Sequence, residues 1–227
     1  MRKNKTAMKN ILGLITLLFC LNSISQNSNK IYYKDVSSFK ILKLNERIVQ
    51  ARINNNKLKE RKLFEKLLSK YIRGKYLSNY TFETIDNKLI TIDEIDKSIL
   101  LLIRGFTSLY NWREIEYLNE LSLEHKDKLE IIILFYSEQS ELVKLSEKFN
   151  KRINIVSFDK GKTDRTKITF NDFLPVLGFP SEYLISKNKK ILNFKRGQIN
   201  SSSKLNWDKA TEINEQKMKN FIFPVLK

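Results

Sequence analysis

The chain has 227 residues, 42 Lys+Arg against 25 Asp+Glu, a formal net charge of +17, one cysteine, one histidine and six glycines. A lone cysteine excludes an intrachain disulfide, and the absence of any Cys/His cluster excludes a zinc-type centre. Gly161-Lys162-Thr163 lacks the upstream glycine of a phosphate loop, so a nucleotide site of that kind is excluded too.

In chain order, the first segment reads as a secretory signal. Arg2, Lys3, Lys5 and Lys9 precede the apolar run Ile11–Leu21, and the small residues Ser23 and Ser25 follow it. The run is too short to span a bilayer, which takes about 20 residues. Cleavage after Ser25 is the expectation, giving residues 1–25 as signal peptide and an exported chain, periplasmic or extracellular. The alternative is a lipoprotein with Cys20 as the anchored residue; bulky Phe19 stands where such signals carry a small residue. Removing residues 1–25, which hold four basic and no acidic residues, leaves a charge of +13. Such a field attracts nucleic acid, anionic lipid or acidic glycans. Lys is spread along the whole chain with Asp and Glu interleaved, so the expectation is a generally basic surface and no specific nucleic-acid site.

Residues 26–40 are polar and read as an extended lead-in. From Leu44 to Ile72 the pattern is helical: Leu63, Leu67 and Tyr71 share a face with Phe64, Leu68 and Ile72. Asn54-Asn55-Asn56 marks a break, and Gly74 a stop after basic Lys70 and Arg73. Residues 26–73 therefore form an N-terminal helical extension, expected to dock by its apolar face. Beyond Gly74, Tyr80–Ile85 and Leu89–Ile92 alternate as strands around an Asp86-Asn87 turn. Ser98–Arg104 and Leu129–Phe135 are continuous apolar runs of buried strands. Asn111–His125 is a helix with Ile115 and Leu118 inward and Trp112 packing beside Ile115. His125 is expected to be exposed near its end. Ser140–Phe149 is a helix, and Ile153–Val156 a short strand. Tyr183–Ile185 and Ile191–Phe194 flank a Lys187-Asn188-Lys189 turn, and Ala210–Ile222 closes the chain as a helix. Gly161–Lys167 and Ser201–Ser203 are polar loops. Parallel pairs need crossovers and the last pair a tight turn, which predicts an α/β fold: a mixed central sheet with helices on both faces.

The order of these elements resembles the periplasmic TlpA-like, peroxiredoxin-related branch of the thioredoxin-like superfamily. In that family a leading hairpin precedes a buried strand, and a Trp-Cys-x-x-Cys motif opens a helix carrying a Glu-Ile pair. A Gly-x-Pro with a cis proline later starts a hairpin. Here Thr107–Ile115 falls on the motif, with Ser108 and Asn111 at the two cysteine positions, and Gly178-Phe179-Pro180 falls on the cis-proline segment. The resemblance implies a three-layer thioredoxin-like domain over residues 74–227 with a degenerate motif, Ser108, Leu109, Tyr110 and Asn111. It also implies a substrate groove beside Pro180, lined here by Tyr110, Phe179 and Pro180, in which an extended peptide adds as a strand.

Thiol–disulfide exchange requires a thiolate attacking sulfur, and Ser108 has no disulfide state. No catalytic residue, metal or cofactor is expected. Asn111 and Glu114 suit a helix N-cap with a return bond, a structural role. His125 lies too far down the helix to activate Ser108. The favoured expectation is a non-catalytic module that binds a peptide or an extracytoplasmic protein. The alternatives are a thiol–disulfide oxidoreductase of the redoxin family, on resemblance alone, and a basic protein that binds a membrane surface by charge or through a lipidated Cys20.

Overall fold

A computed structural model describes residues 30–105, 112–137, 139–157, 177–196 and 207–226. The expected signal segment 1–25, the motif residues Ser108, Leu109, Tyr110 and Asn111, and the loops at 161–167 and 201–203 lie outside them. Contacts divide the chain at Ile31/Tyr32, and the unit Tyr32–Lys227 holds the fold.

Helix α1, Ser38–Ile53, buries Ile41, Leu44, Ile48 and Ala51 along one stripe. The three asparagines that follow each have a separate job. Asn54 is the C-cap, and Asn55 takes the left-handed conformation at φ 53°, where Asn is among the best-tolerated non-glycine residues. The Asn55 N–H reaches the Arg52 carbonyl at 2.9 Å and the Asn56 N–H the Ala51 carbonyl at 2.8 Å, the paired closing bonds of a Schellman turn. Asn56 then caps helix α2, Lys57–Leu67, accepting the Lys59 N–H at 3.0 Å. The helix runs on as a π-turn, Leu68–Ile72, and the chain leaves it through Gly74 at φ 81°, a conformation that costs a side chain about 1–2 kcal/mol.

Strands β1, Thr81–Glu83, and β2, Leu89–Thr91, form a small hairpin with Asn87 at φ 62° in its turn. The main sheet contains β3 (Ser98–Gly105), β4 (Leu129–Tyr136), β5 (Ile153–Ser157), β6 (Ser181–Ile185) and β7 (Ile191–Arg196), in the order β5-β4-β3-β6-β7. β3, β4 and β5 run parallel; β6 and β7 are antiparallel to their neighbours. Helices α3 (Trp112–Glu124) and α4 (Gln139–Ser146) make the crossovers, and α5 (Trp207–Leu226) closes the chain. This is the mixed, two-faced sheet expected of the thioredoxin-like arrangement, with every predicted strand present. α4 ends at Ser146, short of the predicted Phe149, and α5 runs beyond the predicted 210–222 at both ends.

Alternation along β3 divides the core in two. Ile99, Leu101 and Ile103 point to a face covered by α1, α2 and the π-turn, where Tyr183 packs on Phe194 at 4.8 Å between ring centres. Leu100 and Leu102 point to the other face, against Ile115, Leu118 and Leu121 of α3, Leu142 of α4, and Met218, Phe221 and Ile222 of α5. The N-terminal helices thus share one continuous apolar cluster with the sheet. Both edges of that sheet are covered. Ile85 donates to the Ile155 carbonyl at 2.9 Å beside β5, while Gly74 donates to Ile191 and Leu77 to Lys189, each at 2.8 Å, beside β7.

Candidate functional site

The site sits at the C-terminal end of β3, where α3 begins and β6 starts. Gly178 adopts φ 86°, the Phe179–Pro180 peptide bond is cis, and Ser181 enters β6 against Ile103. Pro180 is buried. Phe179 is half-buried, its ring 4.8 Å from that of Tyr136 at the end of β4. Among the described residues no backbone hydrogen bond engages Gly178 or Phe179. Of the groove residues named from sequence, Phe179 and Pro180 are therefore neighbours at the mouth of the sheet, and Tyr110 lies outside the described residues.

Behind that mouth lies a buried group of charges. The Arg104 side chain, 4% exposed, points to the α3 face because it follows Leu100 and Leu102 in the strand alternation. Its Nη2 donates to Glu114 Oε1 in the first turn of α3 and to Glu182 Oε1 on β6, each at 3.2 Å. Nη1 donates to the Ser181 carbonyl at 3.3 Å and to its own strand at Ile103, 3.4 Å. Glu182, 7% exposed, also accepts from Lys195 Nζ at 3.1 Å, across the β6–β7 pair in which the two residues face each other. Two cations balance two carboxylates, the condition under which buried charge is tolerated. The guanidinium fork is what allows one side chain to join β3, α3 and the residue after Pro180.

Burial raises the Glu114 carboxyl above its ordinary 4.5, Arg104 opposing and Glu182 reinforcing the shift. Glu114 therefore takes up a proton more readily than a free glutamate as the pH falls, and Arg104 limits that. The one cysteine of the chain is Cys20, in the expected signal.

Two expectations from sequence are corrected. Trp112 does not pack beside Ile115. It is 59% exposed at the start of α3, with the Arg113 guanidinium 5.0 Å from its ring centre, because Ile115 and Leu118 already fill the inward stripe. His125 is half-buried and not fully exposed: it sits in the turn joining α3 to β4, where its carbonyl accepts from the Lys128 and Leu129 N–H groups at 3.0 and 2.9 Å, and its own N–H donates to the Leu121 carbonyl at 3.1 Å. Glu114, read as a capping residue, also anchors Arg104. The cluster itself was missed. In the sequence Arg104 reads as the last residue of an apolar run, and Glu182 is not singled out. The available signal was that both are charges embedded in strands otherwise apolar.

No protein-family model matches this chain, and no curated protein sequence matches it. Solved structures do resemble it. A thiol:disulfide interchange protein described as DsbE, from Chlorobium tepidum, is 13% identical over 64% of this chain and 95% of its own, with a TM-score of 0.46. A thiol-disulfide oxidoreductase from Bacteroides fragilis is 13% identical over 63% of this chain and 99% of its own, TM-score 0.43. The exposed lipoprotein thioredoxin Etrx1 of Streptococcus pneumoniae is 12% identical over 62% and 99%, TM-score 0.41. The chain's own strand order is three parallel strands and then an antiparallel pair that begins at Ser181.

Proposed function

We propose that this chain is an exported thioredoxin-like module that has given up thiol chemistry and holds an extended peptide segment, free or part of an extracytoplasmic protein, along Gly178-Phe179-Pro180. The observation that carries this reading is the exposed backbone of Gly178, leading through half-buried Phe179 into β6 at the mouth of the sheet. An added strand gains affinity from such backbone groups, and specificity from the side-chain pockets beside them. Phe179, steadied by Tyr136, is the apolar contact; Arg104 keeps the start of α3 and Ser181 fixed around it. Export rests on the Arg2–Ser25 pattern. Ser108 and Asn111 at the thiol positions oppose an oxidoreductase, because neither can form the mixed disulfide that exchange requires.

The test is a set of extended peptides selected for binding to the mature protein, re-measured against Phe179→Ala and Tyr110→Ala. Loss of binding in Phe179→Ala, with its unfolding midpoint within a few degrees of the parent, is the expected result. Peptides that bind both variants like the parent would remove the groove. Insulin reduction by the purified mature chain is expected to stay at the background of a thiol-free control, and clear turnover would refute the non-catalytic reading.

A further inference from the structure

At the other end of the sheet, where β4 and β5 begin, a cavity of about 230 Å³ opens between four segments of the chain. Lys88 comes from the β1–β2 turn, Lys97 precedes β3, Lys126 follows α3, and Lys151 and Arg152 precede β5. The one carboxylate lining it, Glu130, is already engaged. Lys97 Nζ lies 3.4 Å from Glu130 Oε2, and Asn154 Nδ2 donates to Glu130 Oε1 at 2.6 Å. Lys88, Lys126, Lys151 and Arg152 make no ion pair among the described residues, and all four are exposed.

Five cations around one small polar hollow repel one another, and a single carboxylate leaves most of that repulsion standing. In other parts of the surface Arg52 pairs with Glu60 at 2.7 Å and Lys187 with Asp96 at 2.8 Å. Here unpaired cations from separate segments are brought together around a concavity. We infer that this cavity is a binding site for a multiply charged phosphate group. A compact oxyanion with several acceptor oxygens can take charge-assisted hydrogen bonds from a lysine ammonium and an arginine fork together. The site is separate from Pro180, so it stands whether or not the peptide groove does.

Inorganic pyrophosphate is the probe, titrated calorimetrically into the mature protein at constant ionic strength. Saturable one-site binding is expected, weakened about tenfold or more in Lys151→Gln/Arg152→Gln, several-fold in Lys88→Gln, and unchanged in Lys62→Gln/Lys66→Gln on α2. The affinity should fall steeply with added salt. Absence of saturable binding up to about 10 mM pyrophosphate overturns the site. Equal weakening by the α2 pair overturns it as well, because net charge and not the cavity would then be responsible. Vesicles of phosphatidylcholine with and without phosphatidic acid separate the sources. Sedimentation with the phosphatidic acid vesicles, lost in Lys151→Gln/Arg152→Gln, assigns a lipid phosphomonoester; pyrophosphate binding without sedimentation assigns a soluble phosphate.

Discussion

Arg104 is the residue on which the mouth of the sheet depends. It holds Glu114, Glu182 and the Ser181 carbonyl at once, so its removal leaves Glu182 buried with Lys195 alone. Breaking a buried pair from one side costs about 3–5 kcal/mol. Arg104→Ala is therefore expected to lose about 3 kcal/mol in urea unfolding, and Arg104→Met/Glu182→Leu to recover much of it. A loss no larger than that of a surface substitution would show that the cluster is not holding the fold. Glu114 makes a second, pH-resolved test. Its carboxyl is raised in the folded state, so the folded protein binds its proton more readily than the unfolded chain does. The stability it contributes is present below the ordinary value of 4.5 and is lost as pH rises through the shifted value. The parent's stability minus that of Glu114→Gln should therefore decline as pH rises from about 4.5, and a rising difference would contradict the assignment. At Gly178, φ is 86° and no described neighbour lies within 4 Å of an added methyl, so Gly178→Ala tests backbone strain. The expected loss is about 1–2 kcal/mol.

Between elements, the Asn54-Asn55-Asn56 turn is the clearest case of a sequence dictating its own structure. Three asparagines end one helix, take the left-handed position and cap the next, and the break was legible because no other residue performs all three parts as cheaply. Asn56→Ala should cost about 1 kcal/mol in unfolding by denaturant, since the Lys59 N–H loses its acceptor. The buried strands were legible for a different reason: Ser98–Gly105 and Leu129–Tyr136 are apolar on both faces, which only a covered sheet explains. Less was legible where pairing decides. That Arg104, Glu182 and Lys195 share one face follows from the β3–β6–β7 register, and a register is not written in any single strand. Trp112 misled because an aromatic beside an inward Ile looks like core. Trp112 is the first residue of its helix, and Ile115, Leu118 and Leu121 fill the inward stripe without it.

At the scale of the whole unit, α1 and α2 supply part of the core on one face of the sheet. Ile48 and Leu67, fully buried, belong to the same cluster as Ile99 and Leu101. Ile48→Ala should thus cost about 2–5 kcal/mol and shift the far-UV and near-UV circular dichroism transitions together. Two separated transitions would mean that the helices melt independently of the sheet. The covered edges beside β5 and β7 also leave little free strand for self-association. At the centre of that core the Tyr33 and Tyr183 hydroxyls meet at 3.3 Å. Burial raises both phenols above their ordinary 10.0, despite the bond that Tyr183 offers Tyr33. Both rings resist becoming phenolate while the lead-in segment stays docked, so the near-ultraviolet absorbance of these two tyrosines is expected to change together with the opening of the chain in alkali.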